Sequence, residues 1–159
     1  MFKILFICHG NICRSPMAEM IMKSILNDEE IENVFVDSSA VSTEEIGNDI
    51  DYRAKRELEK NNIMVTPHRA KLISQAEYDS SDVILCMDDL NITYLNRILV
   101  DSDNKVFLIY DYALDEKNRE VNDPWYFGNF DVAYNELYEC CEAIAHKIKK
   151  EKLNKEKDN

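Results

Sequence analysis

The sequence predicts an α/β protein with a four-stranded parallel sheet and helices on both faces, a doubly wound, Rossmann-like arrangement. Two alternating patterns carry this prediction. Four short runs rich in Val, Ile, Leu and Phe fit strands that are buried on both faces, and they lie at residues 3–8, 34–38, 82–87 and 105–110. Between and after them, apolar residues recur at helical spacing. Right-handed crossovers between parallel strands place such helices on both faces of the sheet.

Four apolar series predict the helices, and each series follows one of the four strands. In chain order these series are Met17, Met20, Ile21 and Ile25; Ile50, Ala54 and Leu58; Leu90, Tyr94 and Ile98; and Ala133, Leu137, Cys140, Cys141, Ile144 and Ile148. We expect Cys140 and Cys141 to pack in the core, as we do Cys86 in the third strand.

Length and charge limit the organisation of the chain and its partners. The 159 residues are 45% hydrophobic, which is enough for one sizeable core. We therefore expect a single domain over residues 1–153 and a charged, frayed tail over residues 154–159. The formal net charge of -12, from 31 acidic and 19 basic residues, disfavours nonspecific binding to nucleic acid.

Apolar runs and cysteine usage indicate the cellular compartment. No apolar run reaches the roughly 18 residues that would span a bilayer, and no signal peptide is recognisable. We therefore predict no membrane span and a cytoplasmic location. Five cysteines, an odd number without regular loop spacing, indicate reduced thiols rather than a disulfide framework.

The turn after the first strand contains most of the reactive side chains. The strand is expected to end at Cys8, and Ser15-Pro16 to begin a helix, with Ser as its cap and Pro in its first turn. The turn then lies at the carboxyl end of a parallel strand and the amino end of a helix. Unpaired N–H groups and the helix dipole favour an anion at such a place.

The residues of this turn suit an oxyanion. Gly10 allows a tight backbone curl, Asn11 tolerates left-handed geometry, and Arg14 offers a planar fork to two oxygens. The predicted phosphate-binding set is His9, Gly10, Asn11, Ile12, Cys13, Arg14 and Ser15. The same field favours the thiolate of Cys8, to which Ser15 can donate a hydrogen bond. A cysteine at a strand end is more often a buried hydrophobe, but this combination suits phosphoryl transfer through a cysteinyl-phosphate.

The run from Cys8 to Glu19, CHGNICRSPMAE, closely resembles the Cys-X5-Arg-Ser signature of the low-molecular-weight protein tyrosine phosphatases. The resemblance extends to about Lys150 and implies the phosphatase form of the predicted fold. It implies an enzyme that hydrolyses phosphotyrosine and small aryl phosphates, with Cys8 as nucleophile and Arg14 as the phosphate-binding cation.

Asp123 is the candidate general acid. It precedes Pro124 and two aromatic residues after the fourth strand, and Pro restricts the backbone of the residue before it. Alone, this pattern is more often an ordinary Asp-Pro turn with an aromatic plug. The segment NDPWYFGNF, however, resembles the Asp-Pro-Tyr-Tyr loop of the same family, with Trp125 in place of the first tyrosine. By that match Asp123 is the acid and then the base, and Trp125 and Tyr126 wall the phosphotyrosine slot.

Three further segments resemble the parts of the family that support the phosphate loop. DSSAVS at 37–42 and PHRAKLI at 67–73 imply a hydrogen-bond network of Asn11, Ser38 and His68, although a histidine satisfied by backbone is the alternative for His68. CMDDLN at 86–91 implies that Asp88 orients Arg14 through a salt bridge.

Departures from the family pattern concern the rim of the site. Glu44 stands where the family often has an aromatic wall, so we predict a weaker grip on the bare ring and a preference for basic flanking residues. His9 either adds positive charge near the sulfur or faces solvent. The resemblance implies a reversible Cys8–Cys13 disulfide, and a buried Cys13 thiol is the equal alternative.

Three rival functions remain open on the same fold. Arsenate reductases of this type need two further redox cysteines, and Cys86 has no partner at suitable spacing. Protein arginine phosphatases carry a threonine where this chain has Ile12, and that hydroxyl recognises the guanidinium. Ile12 instead leaves room for a flat phenyl ring, which favours phosphotyrosine. A non-catalytic phosphoprotein-binding module would be expected to have lost Cys8, Arg14 or Asp123, and all three are present.

The predicted partners are phosphotyrosine-containing proteins, with phosphate or other oxyanions as product or inhibitor. No metal or cofactor is predicted, because amides and a guanidinium replace the metal and no ligand cluster is visible. We expect a monomer, with weak self-association as the alternative, since some members of the resembled family self-associate through the face that carries the site.

Overall fold

A computed structural model describes residues 1–158, and it has the predicted architecture. The sheet consists of four parallel strands in the order β2-β1-β3-β4. The strands are β1 (Phe2–Cys8), β2 (Val34–Ala40), β3 (Val83–Cys86) and β4 (Val106–Leu108). The helices are α1 (Arg14–Asp28), α2 (Tyr52–Lys60), α3 (Gln75–Ser80), α4 (Asp89–Ile98), α5 (Ile109–Leu114), α6 (Pro124–Phe127) and α7 (Phe130–Lys157).

Side-chain alternation along β1 divides the interior into two cores. Ile4 and Phe6 face a larger cluster that is completed mainly by α1, α2, α5 and α7. Leu5 and Ile7 face a smaller cluster that includes Tyr78 of α3 and Leu95 of α4. The strand runs are continuously apolar because both faces of the sheet are covered, so the predicted α/β fold with helices on both faces is confirmed.

The fourth strand is shorter than the sequence predicts. It ends at Leu108, and the predicted strand residues Ile109 and Tyr110 instead begin α5. Both side chains are fully buried in the larger core, and the Tyr110 hydroxyl donates to Glu136 of α7. A short buried apolar run fits a strand or a helix equally well by its pattern, and here packing against α7 selects the helix.

The apolar series on α4 does not mark its buried face. Leu90 and Ile98 are exposed, whereas Asn91 and Leu95 are buried. The Asn91 side-chain oxygen accepts hydrogen bonds from the backbone N–H groups of Met87 and Asp88, which turns this side of the helix toward the sheet. Leu90 and Tyr94 line the cavity described below together with Asn91.

The carboxyl-terminal helix α7 continues through residues 154–157 to Lys157, and Asn159 lies outside the described residues. Fraying of this charged tail remains a prediction. Lysine and glutamate are good helix formers, and Lys149 forms a 3.0 Å ion pair with Glu29. Lys152 donates to the backbone carbonyl of Glu32, so the helix is anchored beyond its apolar stretch. Among residues 1–158, none of the helices combines the length and the apolar character needed to cross a bilayer.

Candidate active site

A cavity of about 400 Å³ opens where β1 and β3 end and α1 begins. Its walls include eleven of the predicted site residues: Cys8, His9, Gly10, Ile12, Cys13, Arg14, Glu44, Asp88, Asp123, Trp125 and Tyr126. The remaining walls are formed by Glu45, Leu90, Asn91 and Tyr94. Four further predicted residues lie behind this surface, where Asn11 contacts Ser15, Ser38 and His68.

The loop between β1 and α1, residues 9–13, directs its carbonyl groups away from the cavity. The carbonyl of His9 accepts from Val41 and Ser42, that of Asn11 from His68 Nε2 at 2.7 Å, and that of Ile12 from the N–H of Asp51 at 2.8 Å. Across a trans peptide the C=O and the next N–H point in opposite directions. The N–H groups of Gly10, Ile12 and Cys13 therefore point the other way, toward the cavity.

These loop N–H groups have no partner of their own in the protein. Within residues 1–158, the backbone N–H groups of Gly10, Asn11, Ile12 and Cys13 donate to no protein acceptor. Several converging N–H groups next to the amino end of a helix make a binding site for an oxyanion.

Asn11 holds the loop in shape from behind. Its φ of 61° is the left-handed geometry that the sequence predicts, and it is fully buried. Its side-chain amide donates to Ser15 Oγ at 2.8 Å and to Ser38 Oγ at 3.0 Å, and its oxygen accepts from Lys71 N–H. Gly10 does not supply a left-handed turn. A side chain there would bring a Cβ to 3.3 Å from Glu45 Cγ, so glycine permits this close approach.

The network behind Asn11 contains one residue that the sequence reasoning missed. Ser38 Oγ donates to Glu19 Oε1 at 2.6 Å, and Glu19, which is 7% exposed, pairs with Lys23. A glutamate among the apolar residues of α1 was the available signal, because a buried carboxylate needs partners. Glu19 thus fixes the hydroxyl that accepts from Asn11.

Ser15 is not the cap of α1, contrary to the prediction. The helix begins at Arg14, Cys13 occupies the cap position without a side-chain hydrogen bond, and Pro16 lies in the first turn. The Ser15 hydroxyl instead lies 2.9 Å from Cys8 Sγ while accepting from Asn11. Since its oxygen already accepts a hydrogen bond, its proton is free to be donated to the sulfur. Cys8 itself is 4% exposed at the floor of the cavity.

Arg14 is a buried cation with fixed geometry. It is 3% exposed, and its two terminal nitrogens donate to the Val121 carbonyl at 2.9 Å and to Asp88 Oδ2 at 2.8 Å. Burial alone would lower its pKa, but the charges of Cys8, Asp88 and Asp123 outweigh this and raise the pKa. The guanidinium therefore keeps its charge, and the Asp88 contact has the geometry that the resemblance implies.

Asp123 lies at the mouth of the cavity, at the start of α6. One carboxylate oxygen accepts from the N–H of Trp125 at 3.1 Å, and the other lies 3.6 Å from Arg14 Nη2. Its side chain is 41% exposed. Trp125 and Tyr126 line the cavity beside it, so the predicted acid and the predicted aromatic wall lie together.

The opposite rim is polar, as predicted for Glu44, but it also has an apolar part. His9 Nε2 lies 3.2 Å from Glu44 Oε2, so His9 pairs with this carboxylate and does not face only solvent. The His9 ring also contacts the Tyr94 ring edge-on at 5.3 Å between centroids. Leu90 and Tyr94 line the cavity, although their spacing on α4 predicts a buried helix face and gives no signal for a site.

The five cysteines are all free thiols in residues 1–158. Burial, reinforced by the charge of Cys8, raises the pKa of Cys13 far above neutral pH. Burial also raises the pKa of Cys86 and Cys141, and it raises that of Cys140 to about 12. These four thiols are therefore protonated at pH 7, and the Cys8–Cys13 disulfide remains a prediction.

A cysteine beneath converging N–H groups, beside a buried arginine and a carboxylate, is the arrangement of a cysteine-dependent phosphoryl-transfer site. The family model described as low molecular weight phosphotyrosine protein phosphatase matches residues 3–157. The enzyme of that name from Gallus gallus is 38% identical over 151 residues, covering 91% of this chain and 94% of the relative. The chain belongs to this family, as the sequence predicts.

Solved structures are similar over nearly the whole chain. YfkJ from Bacillus subtilis has a TM-score of 0.88 at 32% identity and covers 96% of this chain and 97% of its own. The YwlE arginine phosphatase from Geobacillus stearothermophilus has a TM-score of 0.84 at 25% identity, with 97% of both chains covered. The fold therefore accommodates more than one phosphorylated side chain, and the residues of this site must decide between them.

Iodoacetate at pH 7 is expected to alkylate Cys8 about tenfold faster than any other cysteine, because only Cys8 faces the loop amides, Arg14 and Ser15. Inorganic phosphate should slow the reaction by occupying the same donors. Peptide mapping by mass spectrometry measures both effects, and Cys8→Ser is the control that should abolish the fast phase. Equal modification of several cysteines, or no protection by phosphate, would contradict this assignment.

Proposed function

We propose that this protein is a protein tyrosine phosphatase that hydrolyses phosphotyrosine and small aryl phosphates through a cysteinyl-phosphate intermediate. One observation carries the proposal: Cys8, the loop residues with unpaired N–H groups and Arg14 line the same cavity. These donors match the equatorial oxygens of a phosphoryl group, where charge is held during transfer. Family membership supports the same activity.

In the first step the Cys8 thiolate attacks phosphorus in line with the phosphate ester bond. The S–P bond forms and the P–O bond to the tyrosine breaks, while Arg14 and the loop amides bind the three equatorial oxygens. Asp123, at the cavity mouth, donates its proton to the departing phenolate oxygen. The Ser15 hydroxyl, 2.9 Å from the sulfur, stabilises the negative charge on sulfur before attack.

In the second step water hydrolyses the intermediate. Asp123, now ionised, accepts a proton from the water as its oxygen attacks phosphorus, and the S–P bond breaks to regenerate the thiolate. Phosphate leaves, and Asp123 is protonated again for the next cycle. Asp123 Oδ2 lies 3.6 Å from Arg14 Nη2, so the carboxylate is near the phosphoryl site in both steps.

Ile12 favours phosphotyrosine over phosphoarginine. Its half-buried side chain lines the cavity and packs against the larger core. An aliphatic wall suits a flat phenyl ring, whereas it offers no hydrogen bond to a guanidinium. Trp125 and Tyr126 also line the cavity and supply aromatic contacts to the phenyl ring of the substrate.

The other rival functions lack support from the cysteines and the site. Cys86 in β3 and Cys140 and Cys141 in α7 are fully buried, so residues 1–158 contain no exposed thiol pair that could relay electrons. A binding module would not require the Cys8, Arg14 and Asp123 set. We also propose a cytoplasmic monomer that acts on phosphotyrosine-containing proteins and binds no nucleic acid, consistent with its acidic charge and free thiols.

Asp123→Ala should lower kcat/KM for phosphotyrosine by about 100-fold or more, but that for p-nitrophenyl phosphate by about tenfold or less. A good leaving group departs without a proton, so loss of the acid matters less. Phosphate release measures both rates, with the exposed Asp131→Ala as a control that keeps them. Equal losses on both substrates would argue against Asp123 as the acid, and persistent turnover by Cys8→Ser would overturn the whole proposal.

A panel of phosphotyrosine, phosphoserine and phosphoarginine peptides should show the highest kcat/KM for phosphotyrosine. Ile12→Thr should raise the phosphoarginine rate relative to phosphotyrosine by about tenfold, because a hydroxyl at this wall can accept from the guanidinium. A wild-type preference for phosphoarginine would show that Ile12 does not select the substrate.

Phosphotyrosine peptides with basic flanking residues should have about two- to fivefold higher kcat/KM than peptides with acidic flanks, and added salt should reduce the difference. Glu44→Gln should reduce this difference in kcat/KM between basic and acidic flanks. The control Glu142→Gln, on the exposed side of α7, should leave the difference unchanged. A preference for acidic flanks in the wild-type enzyme would contradict the role given to Glu44.

A further inference from the structure

Arg53 of α2 lies between two aromatic rings next to the segment that begins with Asp123. Its guanidinium carbon is 5.2 Å from the centroid of the Trp125 ring and 4.8 Å from that of the Phe130 ring. Trp125 belongs to α6 and Phe130 is the first residue of α7. One cation therefore contacts a residue within α6 and the first residue of α7.

The other side of the Arg53 guanidinium is held by Asp51. Nε and Nη2 donate to the two oxygens of this carboxylate at 3.1 and 3.3 Å. Asp51 also caps α2 by accepting from the N–H of Arg53, and its own N–H donates to the Ile12 carbonyl at 2.8 Å. Arg53 is thus fixed relative to the loop that surrounds Cys8.

The short helix α6 is otherwise held at its start, where Pro124 is buried and Asn122 donates to Glu136. It has only four residues, too few to be stable alone, and Tyr126 and Phe127 are 79% and 87% exposed. Trp125, at 43% exposure, is the aromatic residue of α6 that makes a cation–π contact. Its N–H donates to Asp123 Oδ1, while Arg14 Nη2 lies 3.6 Å from the other oxygen, so Trp125 and Arg14 together place the carboxylate.

We propose that Arg53 is a positioning residue that holds Asp123 at the leaving-group side of the site, acting through its stacking on Trp125. The proposal rests on the phosphatase function proposed above. Contacts run from the Ile12 carbonyl to Asp51, then to Arg53, Trp125 and Asp123. Arg53 is not among the residues that line the cavity, so it does not touch the substrate directly.

The contacts require arginine and not only a positive charge. The planar guanidinium can bind a carboxylate with its edge while its faces stack on aromatic rings, which an ammonium cannot do. Hydrogen bonding with Asp51 raises the pKa of Arg53, so the charge persists at all pH values at which the enzyme would work.

The test compares kcat/KM for phosphotyrosine and p-nitrophenyl phosphate in Arg53→Met, Arg53→Lys and the control Arg56→Met. Arg56 is exposed on the same helix, so the control removes the same charge. Both Arg53 variants should lose about tenfold on phosphotyrosine and less than about twofold on p-nitrophenyl phosphate, because a misplaced acid matters most for a poor leaving group. Arg56→Met should retain both rates.

A second measurement is independent of activity. Trp125 is the only tryptophan in the chain, so its fluorescence reports directly on this contact. Arg53→Met should increase acrylamide quenching of Trp125, and Arg56→Met should not. Unchanged quenching, equal losses on both substrates, or wild-type rates in Arg53→Lys would each overturn the proposal. Failure of the phosphatase function itself would appear differently, as absence of phosphotyrosine turnover by the wild-type enzyme despite changed quenching in Arg53→Met.

Discussion

The site depends on the direction of a few peptide groups between β1 and α1. The carbonyls of His9, Asn11 and Ile12 are bonded to surrounding segments, and this leaves the following N–H groups facing the cavity. A backbone cradle of this kind needs no side chain to bind an oxyanion. It does need a rigid frame, because unpaired N–H groups would otherwise be satisfied by a different loop conformation. Asn11 supplies this frame from a buried, left-handed position.

Electrostatics explain why an acidic protein can bind an anion here. The net charge of -12 repels anions at long range, but Arg14 lies within the site, where interactions are stronger than in water. The negative charges of Asp88 and Asp123 help to offset the effect of burial on the pKa of Arg14, so the guanidinium stays protonated. The exposed Glu44 lies at the rim, where it influences the flanking residues of a substrate more than the phosphoryl group itself.

The strands and the reactive turn could be predicted from sequence because their signals are local. Four apolar runs define the sheet, and the Cys8–Glu19 signature defines the loop. Where the prediction was wrong, tertiary packing decided: Ile109 and Tyr110 became helical against α7, and Ser15 turned to the sulfur instead of capping α1. The contacts of Glu19, Tyr94 and Arg53 join segments that are distant in sequence, so spacing alone could not predict them.

An NMR titration of the 15N-labelled protein with inorganic phosphate tests directly whether the loop amides bind an oxyanion. We expect the backbone amide signals of Gly10, Ile12 and Cys13 to shift together and saturate with one affinity, with Arg14 side-chain signals following them. Cys8→Ser, which keeps the loop amides, should still bind phosphate at this place. Phosphate that left these amide signals unchanged while shifting signals elsewhere would show that the loop is not the oxyanion site.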